Sequence, residues 1–228
     1  MAKKDLNAQL NVARAGSLPV RAAAMARRSM YKKFLETIRP DASETVLDVG
    51  VTSDRKYAAS NYLEAWYEHK DRITAVGLDD ASFLAEIYPG LKFVRGDGCQ
   101  LPFTDRAFDL VHSSAVIEHV GSRSRQRGFI SELVRVARRA VFVTTPNRWY
   151  PIEFHTLLPF AHWLPRRGFE AVLRATGRSE FADEAVLNLL TESNLDQIAS
   201  SIPQTKAMVT SITFLGLPSN LLLVIQRT

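Results

Sequence analysis

The stretch Thr45-Val46-Leu47-Asp48-Val49-Gly50-Val51-Thr52-Ser53-Asp54 decides the fold of this chain. It begins with an apolar run that suits a strand buried on both faces, and the run ends at Gly50. A helix-compatible stretch follows over residues 55–68. A strand, a glycine turn and a helix form the first unit of a nucleotide-binding α/β sheet, in which the backbone at the helix N-terminus approaches the ligand.

Apolar runs and helix-compatible stretches alternate along the rest of the chain. Further strands are predicted at residues 73–78, 91–94, 108–112 and 140–144, and helices at residues 82–87 and 122–137. This alternation implies a parallel sheet with right-handed crossovers. Residues 208–214 and 221–225, joined by a turn at residues 216–220, predict a final antiparallel β-hairpin.

Two segments lie outside that rhythm. Residues 1–40 are predicted to form an N-terminal helical leader or cap, whose helix over residues 20–38 either covers the mouth of the ligand site or packs on the edge of the sheet. Residues 41–228 are predicted to form the main domain. Within it, residues 146–167 are too rich in proline for a regular element and too apolar for a solvated loop, so they are predicted to be a lid insertion.

Composition places the chain among ordinary globular proteins. It has 228 residues, of which 46% are hydrophobic and 23% charged, enough for one α/β domain with extra segments. No apolar run is long enough to cross a bilayer, and the first five residues lack the apolar stretch of a signal peptide. Cys99 is the single cysteine, which excludes an internal disulfide. We therefore expect a cytoplasmic protein.

The charge is positive and unevenly distributed, with a formal net charge of +5. Basic residues crowd residues 21–33 and 123–139, which indicates either solvated helix faces or peripheral contact with an anionic membrane surface. Aromatic residues do not alternate with these basic residues, so binding of nucleic acid is disfavoured. Nothing in the sequence predicts the oligomeric state.

Acidic residues follow two of the predicted strands. Asp79 follows the second strand, where a carboxylate accepts both hydroxyls of a ribose, and Asp97 follows the third, placed to accept the amino group of an adenine. Each aspartate taken singly is more often a helix cap. Together, at the edge of the sheet where ligands bind, the two indicate a nucleotide-like ligand.

Three further motifs carry a family resemblance. Gly-Asp-Gly-Cys-Gln-Leu-Pro-Phe at 96–103, Ala-Phe-Asp-Leu-Val at 107–111 and Val-Ile-Glu-His-Val at 116–120 follow the Val-Leu-Asp-Val-Gly of the opening stretch. Residues 41–145 thereby resemble the class I S-adenosylmethionine-dependent methyltransferases of type 11. The resemblance implies a Rossmann-like α/β fold, with a seven-stranded, mostly parallel sheet, a C-terminal antiparallel hairpin and helices on both faces. It also implies S-adenosyl-L-methionine as cofactor.

The resemblance also assigns roles by position. It places Gly50 and Asp48 at the methionine end of the cofactor, where Asp48 either holds the turn or faces the ammonium group. It places Asp79 at the ribose. It places Asp97 and Gly98 at the adenine. A segment that begins at Ser113 is placed near the methyl group.

The opening loop departs from the family pattern. Thr52 and Asp54 stand where glycines are usual, and Asp54 puts a negative charge where the cofactor carboxylate would lie. We expect Arg55 to compensate by binding that carboxylate. A shifted loop, or a pocket that has lost its cofactor, are the alternatives.

The candidate catalytic residues follow the fourth strand. His119 is the candidate general base for an acceptor that must lose a proton, and Glu118 would orient it or cap the next helix. The alternative for His119 is a histidine bonded to backbone in a loop.

The lid supplies the candidate acceptor-binding residues Trp149, Tyr150, Glu153 and His155. Glu153 and His155 would hold a polar acceptor or, alternatively, tie down a lid whose aromatic residues bury it. No metal site is predicted, because the spacing matches no zinc or iron signature.

The sequence thus predicts a methyltransferase acting on a small-molecule or lipid-like acceptor. The alternative is a catalytically silent binding or regulatory protein of the same fold with an altered cofactor loop. A nicotinamide-dependent oxidoreductase is disfavoured by the lack of a Gly-x-Gly-x-x-Gly motif and by the terminal hairpin.

Overall fold

A computed structural model describes residues 16–55 and 59–228 of the chain. Its centre is a seven-stranded sheet of order β3-β2-β1-β4-β5-β7-β6. The strands are β1 (Val46–Val49), β2 (Ile73–Gly77), β3 (Lys92–Arg95), β4 (Phe108–Ser114), β5 (Ala137–Pro146), β6 (Thr205–Phe214) and β7 (Leu217–Arg227). The first five run parallel, and β7 pairs antiparallel with both β5 and β6. The predicted fold class is therefore confirmed.

The described residues form six α-helices. They are α1 (Leu18–Ile38), α2 (Tyr62–Trp66), α3 (Phe83–Ile87), α4 (Arg123–Val136), α5 (Arg166–Ala175) and α6 (Glu192–Ser200). One core lies between the sheet and α4 and α6, and a second lies between the opposite face and α1, α2 and α3. Helices α5 and α6 were not predicted from the sequence.

Helix α1 agrees with the predicted helix over residues 20–38, while residues 1–15 of the predicted leader lie outside the described part. Met30, Phe34 and Ile38 follow helical spacing and are buried against the sheet. The helix ends at Arg39, whose backbone is left-handed with φ 50° and whose amide donates to the carbonyl of Leu35. The division into a leader, a main domain and a lid stays a prediction.

The predicted helix over residues 55–68 is wrong in extent. Only α2 forms among its described residues, and residues 56–58 lie outside the described part. The reason is the Asn61 side chain, which accepts a hydrogen bond from the Thr52 amide at 2.9 Å and donates to the Thr52 carbonyl at 2.9 Å. These two bonds tie Asn61 to the loop after β1, so the helix begins only at Tyr62.

The terminal hairpin forms with a tighter turn than predicted. Phe214 pairs directly with Leu217, so the connection is Leu215–Gly216 rather than residues 216–220. Both connecting residues have positive φ, 52° for Leu215 and 78° for Gly216, as a two-residue turn between twisted strands requires. No helix in the described ranges 16–55 and 59–228 is long and apolar enough to cross a bilayer.

Candidate active site

A cavity of about 470 Å³ opens where β1, β2, β3 and β4 end. Because parallel strands present their carboxyl ends at one edge, the residues that follow each strand share this cavity. The wall residues used below are Arg27, Gly50, Thr52, Asp97, Gly98, Ala115, Val116, His119, His155 and Val186. The cavity is large enough for a ligand of nucleoside size.

Two glycines shape the floor of this cavity. Gly50 has φ 104°, and a Cβ there would lie 2.1 Å from Cγ2 of Val116. A Cβ on Gly98 would lie 2.7 Å from the ring of Phe129. Any larger residue at either position would force apart the packed side chains beneath the cavity.

The atypical loop after Gly50 is held by its own hydrogen bonds. Thr52 lines the cavity, and its hydroxyl accepts from the Asp54 amide at 3.1 Å. Arg55 is exposed, and its guanidinium lies 4.4 Å from the ring centroid of Phe83 instead of on the cavity wall. The structure therefore places Thr52 at the cavity and Arg55 beside it.

The two aspartates at strand ends are placed differently. Asp97 lines the cavity, and one of its carboxylate oxygens accepts from the Cys99 amide at 2.8 Å. Asp79 is buried behind the wall, where its neighbour Leu78 is the residue that reaches the cavity.

Asp48 and Ser113 are both buried away from the cavity. Asp48 Oδ1 lies 2.7 Å from Nδ1 of His112, on the face of the sheet that α1 and α2 cover. Ser113 donates to the Val49 carbonyl at 2.8 Å, whereas its neighbours Ser114 and Ala115 line the cavity. Since successive residues of a strand face opposite sides, a shift of one position decides which residue reaches the site.

The predicted catalytic and acceptor-binding residues meet in the cavity cluster, which we define as Glu118, His119, Glu153 and His155. Nε2 of His119 lies 3.1 Å from Nε2 of His155. His119 Nδ1 donates to the Val186 carbonyl at 2.6 Å, and His155 Nδ1 lies 2.5 Å from Glu153 Oε1. Both imidazoles are thus held from behind and present Nε2 at the cavity wall.

The two carboxylates lie behind the imidazoles. Glu118 is fully buried and its Oε2 accepts from the Thr145 hydroxyl at 2.9 Å. Glu153 is also buried, and its oxygens accept from the amides of His155 at 2.8 Å and Thr156 at 2.6 Å. Glu153 therefore fixes the lid and orients His155 at the same time.

Burial and the charges of neighbouring groups shift the pKa values of the cavity cluster in different directions. Burial raises the pKa of Glu118 to about 7, and burial together with the neighbouring His155 lowers the pKa of His119 to about 3. Burial alone would lower the pKa of His155, but the charge of Glu153 and the hydrogen bond to it have the larger effect, so the pKa is raised. The same pair lowers the pKa of Glu153 to about 2, against the effect of burial. At neutral pH His119 is the neutral imidazole of the pair.

The remaining lid residues lie farther out. Trp149 is 56% exposed, and its ring centroid lies 6.4 Å from that of Trp163. Tyr150 is buried and stacks on Phe154, with 5.8 Å between ring centroids. Phe154, in turn, lines a second cavity of about 80 Å³ between the lid and α1. Of the four predicted acceptor-binding residues, His155 is the one that lines both cavities.

Arg27 of α1 is the main wall residue that sequence reasoning missed. It lines both cavities, and no carboxylate of the described residues forms an ion pair with it. Burial lowers the pKa of its guanidinium. Helical spacing is the signal that could have found it, since residue 27 lies three positions before Met30 and continues the buried stripe of Met30, Phe34 and Ile38.

Part of the chain is similar in sequence to methyltransferases. Residues 47–143 match the family model described as a methyltransferase domain. Over 112 residues the chain is 47% identical to a protein of Encephalitozoon cuniculi (strain GB-M1) that is named as a methyltransferase. The match covers 48% of this chain and 47% of that protein, so the chain spans about half the length of this relative.

Two solved structures share the fold. The PH0226 protein of Pyrococcus horikoshii OT3 superposes with a TM-score of 0.60 at 14% identity, covering 94% of this chain and 93% of that one. Magnesium protoporphyrin IX methyltransferase of Synechocystis PCC 6803, solved with bound SAH, gives 0.56 at 14% identity, over 92% and 86%. At this identity the likeness establishes the architecture.

Proposed function

We propose that this chain is a class I S-adenosylmethionine-dependent methyltransferase that transfers a methyl group to a polar atom of a small-molecule or lipid-like acceptor. Its match to a methyltransferase-domain model over residues 47–143 supports this proposal. One observation carries the proposal. The cavity at the strand ends joins Gly50, Asp97 and Gly98 on one side to His119 and His155 on the other. The residues proposed to bind the cofactor and those proposed to bind a polar acceptor therefore line the same cavity.

The cavity wall fits the cofactor. Gly50 and Gly98 keep the floor free of side chains, and the Asp97 carboxylate is placed to accept a hydrogen bond from an adenine amino group. When bound, S-adenosylmethionine supplies a methyl group already activated by its sulfonium. Asp79, buried beside Leu78, stays a proposed ribose ligand that needs a small movement of the strand end.

We propose Arg27 as the cation that binds the cofactor carboxylate. Arg27 lines the cavity, whereas Arg55 lies over Phe83. Arg55 remains the alternative that the sequence predicts.

The acceptor wall extends into the smaller cavity. Val20, Ala23, Met30 and Phe154 give that cavity an apolar lining, and His155 stands at its junction with the larger one. We infer an acceptor with an apolar body that presents an oxygen or nitrogen to the imidazole pair. Positioning supplies much of the acceleration in such a transfer, and a proton acceptor is needed only if the acceptor atom carries a proton.

His119 is the proposed proton acceptor of this wall. The bond from Nδ1 to the Val186 carbonyl leaves the lone pair of the neutral imidazole on Nε2. That lone pair points at His155, so an acceptor must come between the two rings or displace His155. Cytoplasmic location and contact with an anionic membrane surface stay predictions.

Calorimetric titration with S-adenosylmethionine tests the cofactor half of this proposal. The wild-type chain should bind, and Asp97→Ala should weaken binding roughly 10- to 100-fold, because a hydrogen bond to a charged group is lost. Asp80→Ala is the matched control, since Asp80 is exposed and accepts from Ser82. Absence of binding by the folded wild-type chain would favour the silent regulatory protein.

The same titration separates the two arginines. Arg27→Gln should weaken S-adenosylmethionine binding about tenfold or more, and Arg55→Gln should change it less than about twofold. A larger loss of affinity for Arg55→Gln than for Arg27→Gln would show that Arg55 binds the cofactor carboxylate.

A further inference from the structure

The cavity cluster brings three metal-ligating atoms together from distant parts of the chain. Nε2 of His119, Nε2 of His155 and a carboxylate oxygen of Glu118 lie within 4.8 Å of one another. The two histidines are 36 residues apart in sequence, so no short spacing motif marks them. This is why the sequence predicts no metal site.

The hydrogen bonds behind the two imidazoles fix which nitrogen faces forward. His119 donates from Nδ1 to a backbone carbonyl, and His155 is bonded from Nδ1 to a buried carboxylate. In neutral imidazoles this arrangement leaves both Nε2 atoms as lone-pair acceptors, 3.1 Å apart. Two lone pairs at that distance repel, so either a proton carried by His155 or a metal ion lies between the two nitrogens.

Glu118 distinguishes the proton from the metal ion. Its Oε1 is buried, has no hydrogen-bond partner among the described residues and lies 3.9 Å from Nε2 of His119. A buried carboxylate oxygen without a partner costs free energy. A proton shared by the imidazoles leaves that oxygen unused, whereas a metal ion takes all three atoms as ligands.

From this geometry we infer that Glu118, His119 and His155 form a binding site for one divalent first-row transition-metal ion of the zinc type. Two nitrogens bound to one such ion at about 2.1 Å lie roughly 3.0–3.4 Å apart, which includes the observed separation. The Glu118 oxygen, 3.9 Å from Nε2 of His119, has to move toward the two imidazoles to bind the same ion. Imidazole ligands favour zinc, iron or cobalt over magnesium.

The surroundings are those that a metal site needs. Val186 and Glu153 orient the imidazoles, and Thr145 holds the second oxygen of Glu118. His119 and His155 line the large cavity, so the remaining coordination positions face the space that the acceptor would enter. A metal ion at this site would contact the acceptor of the proposed function, so the inference rests on that function. It also competes with the base role of His119, because an ion on Nε2 leaves no lone pair there.

Metal titration of the chelator-treated full chain tests the site. Calorimetry with Zn²⁺ should give one site per chain, and Glu118→Gln and His155→Gln should each weaken binding at least about 100-fold. Thr145→Val, which removes a supporting bond, should weaken it roughly 10- to 100-fold. His69→Ala is the matched control, since it deletes an imidazole that contacts Tyr67 instead of the cluster.

Two results would overturn the metal site. One is a wild-type chain that binds no Zn²⁺ or Co²⁺, or binds Mg²⁺ alone. The other is Zn²⁺ binding that Glu118→Gln and His155→Gln leave unchanged. Titration of Glu118→Gln with S-adenosylmethionine distinguishes failure of the metal site from failure of the proposed function. The cofactor affinity of this variant should stay within about twofold of the wild type.

Discussion

Two clusters of acids and imidazoles are built from the same residue types and are used differently. The core cluster, Asp48, Tyr62, Glu64 and His112, lies under α1 and α2. There, both nitrogens of His112 have partners inside the core, Asp48 Oδ1 at 2.7 Å and the Tyr62 hydroxyl at 2.8 Å. In the cavity cluster each imidazole is held from behind through Nδ1, and the two Nε2 atoms meet at the cavity wall. Access to open space, rather than residue type, separates a site from a structural network.

Removal of the core histidine gives the largest expected loss of stability. His112→Ala leaves the Asp48 carboxyl buried without its imidazole and opens a gap beside Phe34 and Phe142. We expect the free energy of unfolding to fall by about 3–5 kcal/mol, measured by urea denaturation. A loss below about 1 kcal/mol would show that His112 is not a structural residue.

The core cluster also makes stability depend on pH. Burial raises the pKa of Asp48 to about 7, burial and Asp48 raise the pKa of Glu64 well above its ordinary value, and burial lowers the pKa of His112 to about 4. Raised carboxyl pKa values favour the folded state at low pH, and that stability is lost as pH rises through them. The lowered histidine pKa acts oppositely between about pH 4 and 6.5.

Above about pH 6.5 the loss from the carboxyls is no longer offset. There the free energy of unfolding should fall by up to about 1.4 kcal/mol per pH unit for each carboxyl that has lost its proton in the unfolded chain but still holds it in the folded chain. Glu64→Gln should remove the part of this fall that Glu64 causes. Parallel urea titrations of both proteins from pH 6 to 9 measure the difference, and coincident curves would contradict the account.

Removal of a cavity histidine gives the smallest expected loss of stability. His119 is 23% exposed, and its Nδ1 bond to Val186 is its one hydrogen bond to a backbone group. His119→Ala should cost about 1 kcal/mol in the same urea experiment. If it costs as much as His112→Ala, the distinction between the two clusters is wrong.

Much of the fold was predictable because it is local in sequence. The apolar runs predict all seven strands to within a few residues, and the glycine after β1 marks the turn. The helix after that turn was not predictable, because Asn61 bonds back to Thr52 across the loop. Such a bond depends on how the loop folds back in space, and helix propensity carries no information about that.

The site was predictable only where it follows the strand ends. Asp97, Gly98 and His119 could be placed because each comes soon after a predicted strand. Arg27 was missed although it continues the apolar stripe of α1, because the basic residues around it resemble a solvated helix face. The contact between His119 and His155 was likewise hidden, because it joins a strand end to the lid across 36 residues.

A crystal structure of the chain with S-adenosylhomocysteine tests the central claim most directly, because it shows what the cavity holds. The account predicts the adenine beside Asp97 and Gly98, the carboxylate at Arg27, and the sulfur turned toward the edge formed by His119 and His155. A ligand bound elsewhere, or a sulfur directed away from the cavity cluster, would contradict the account.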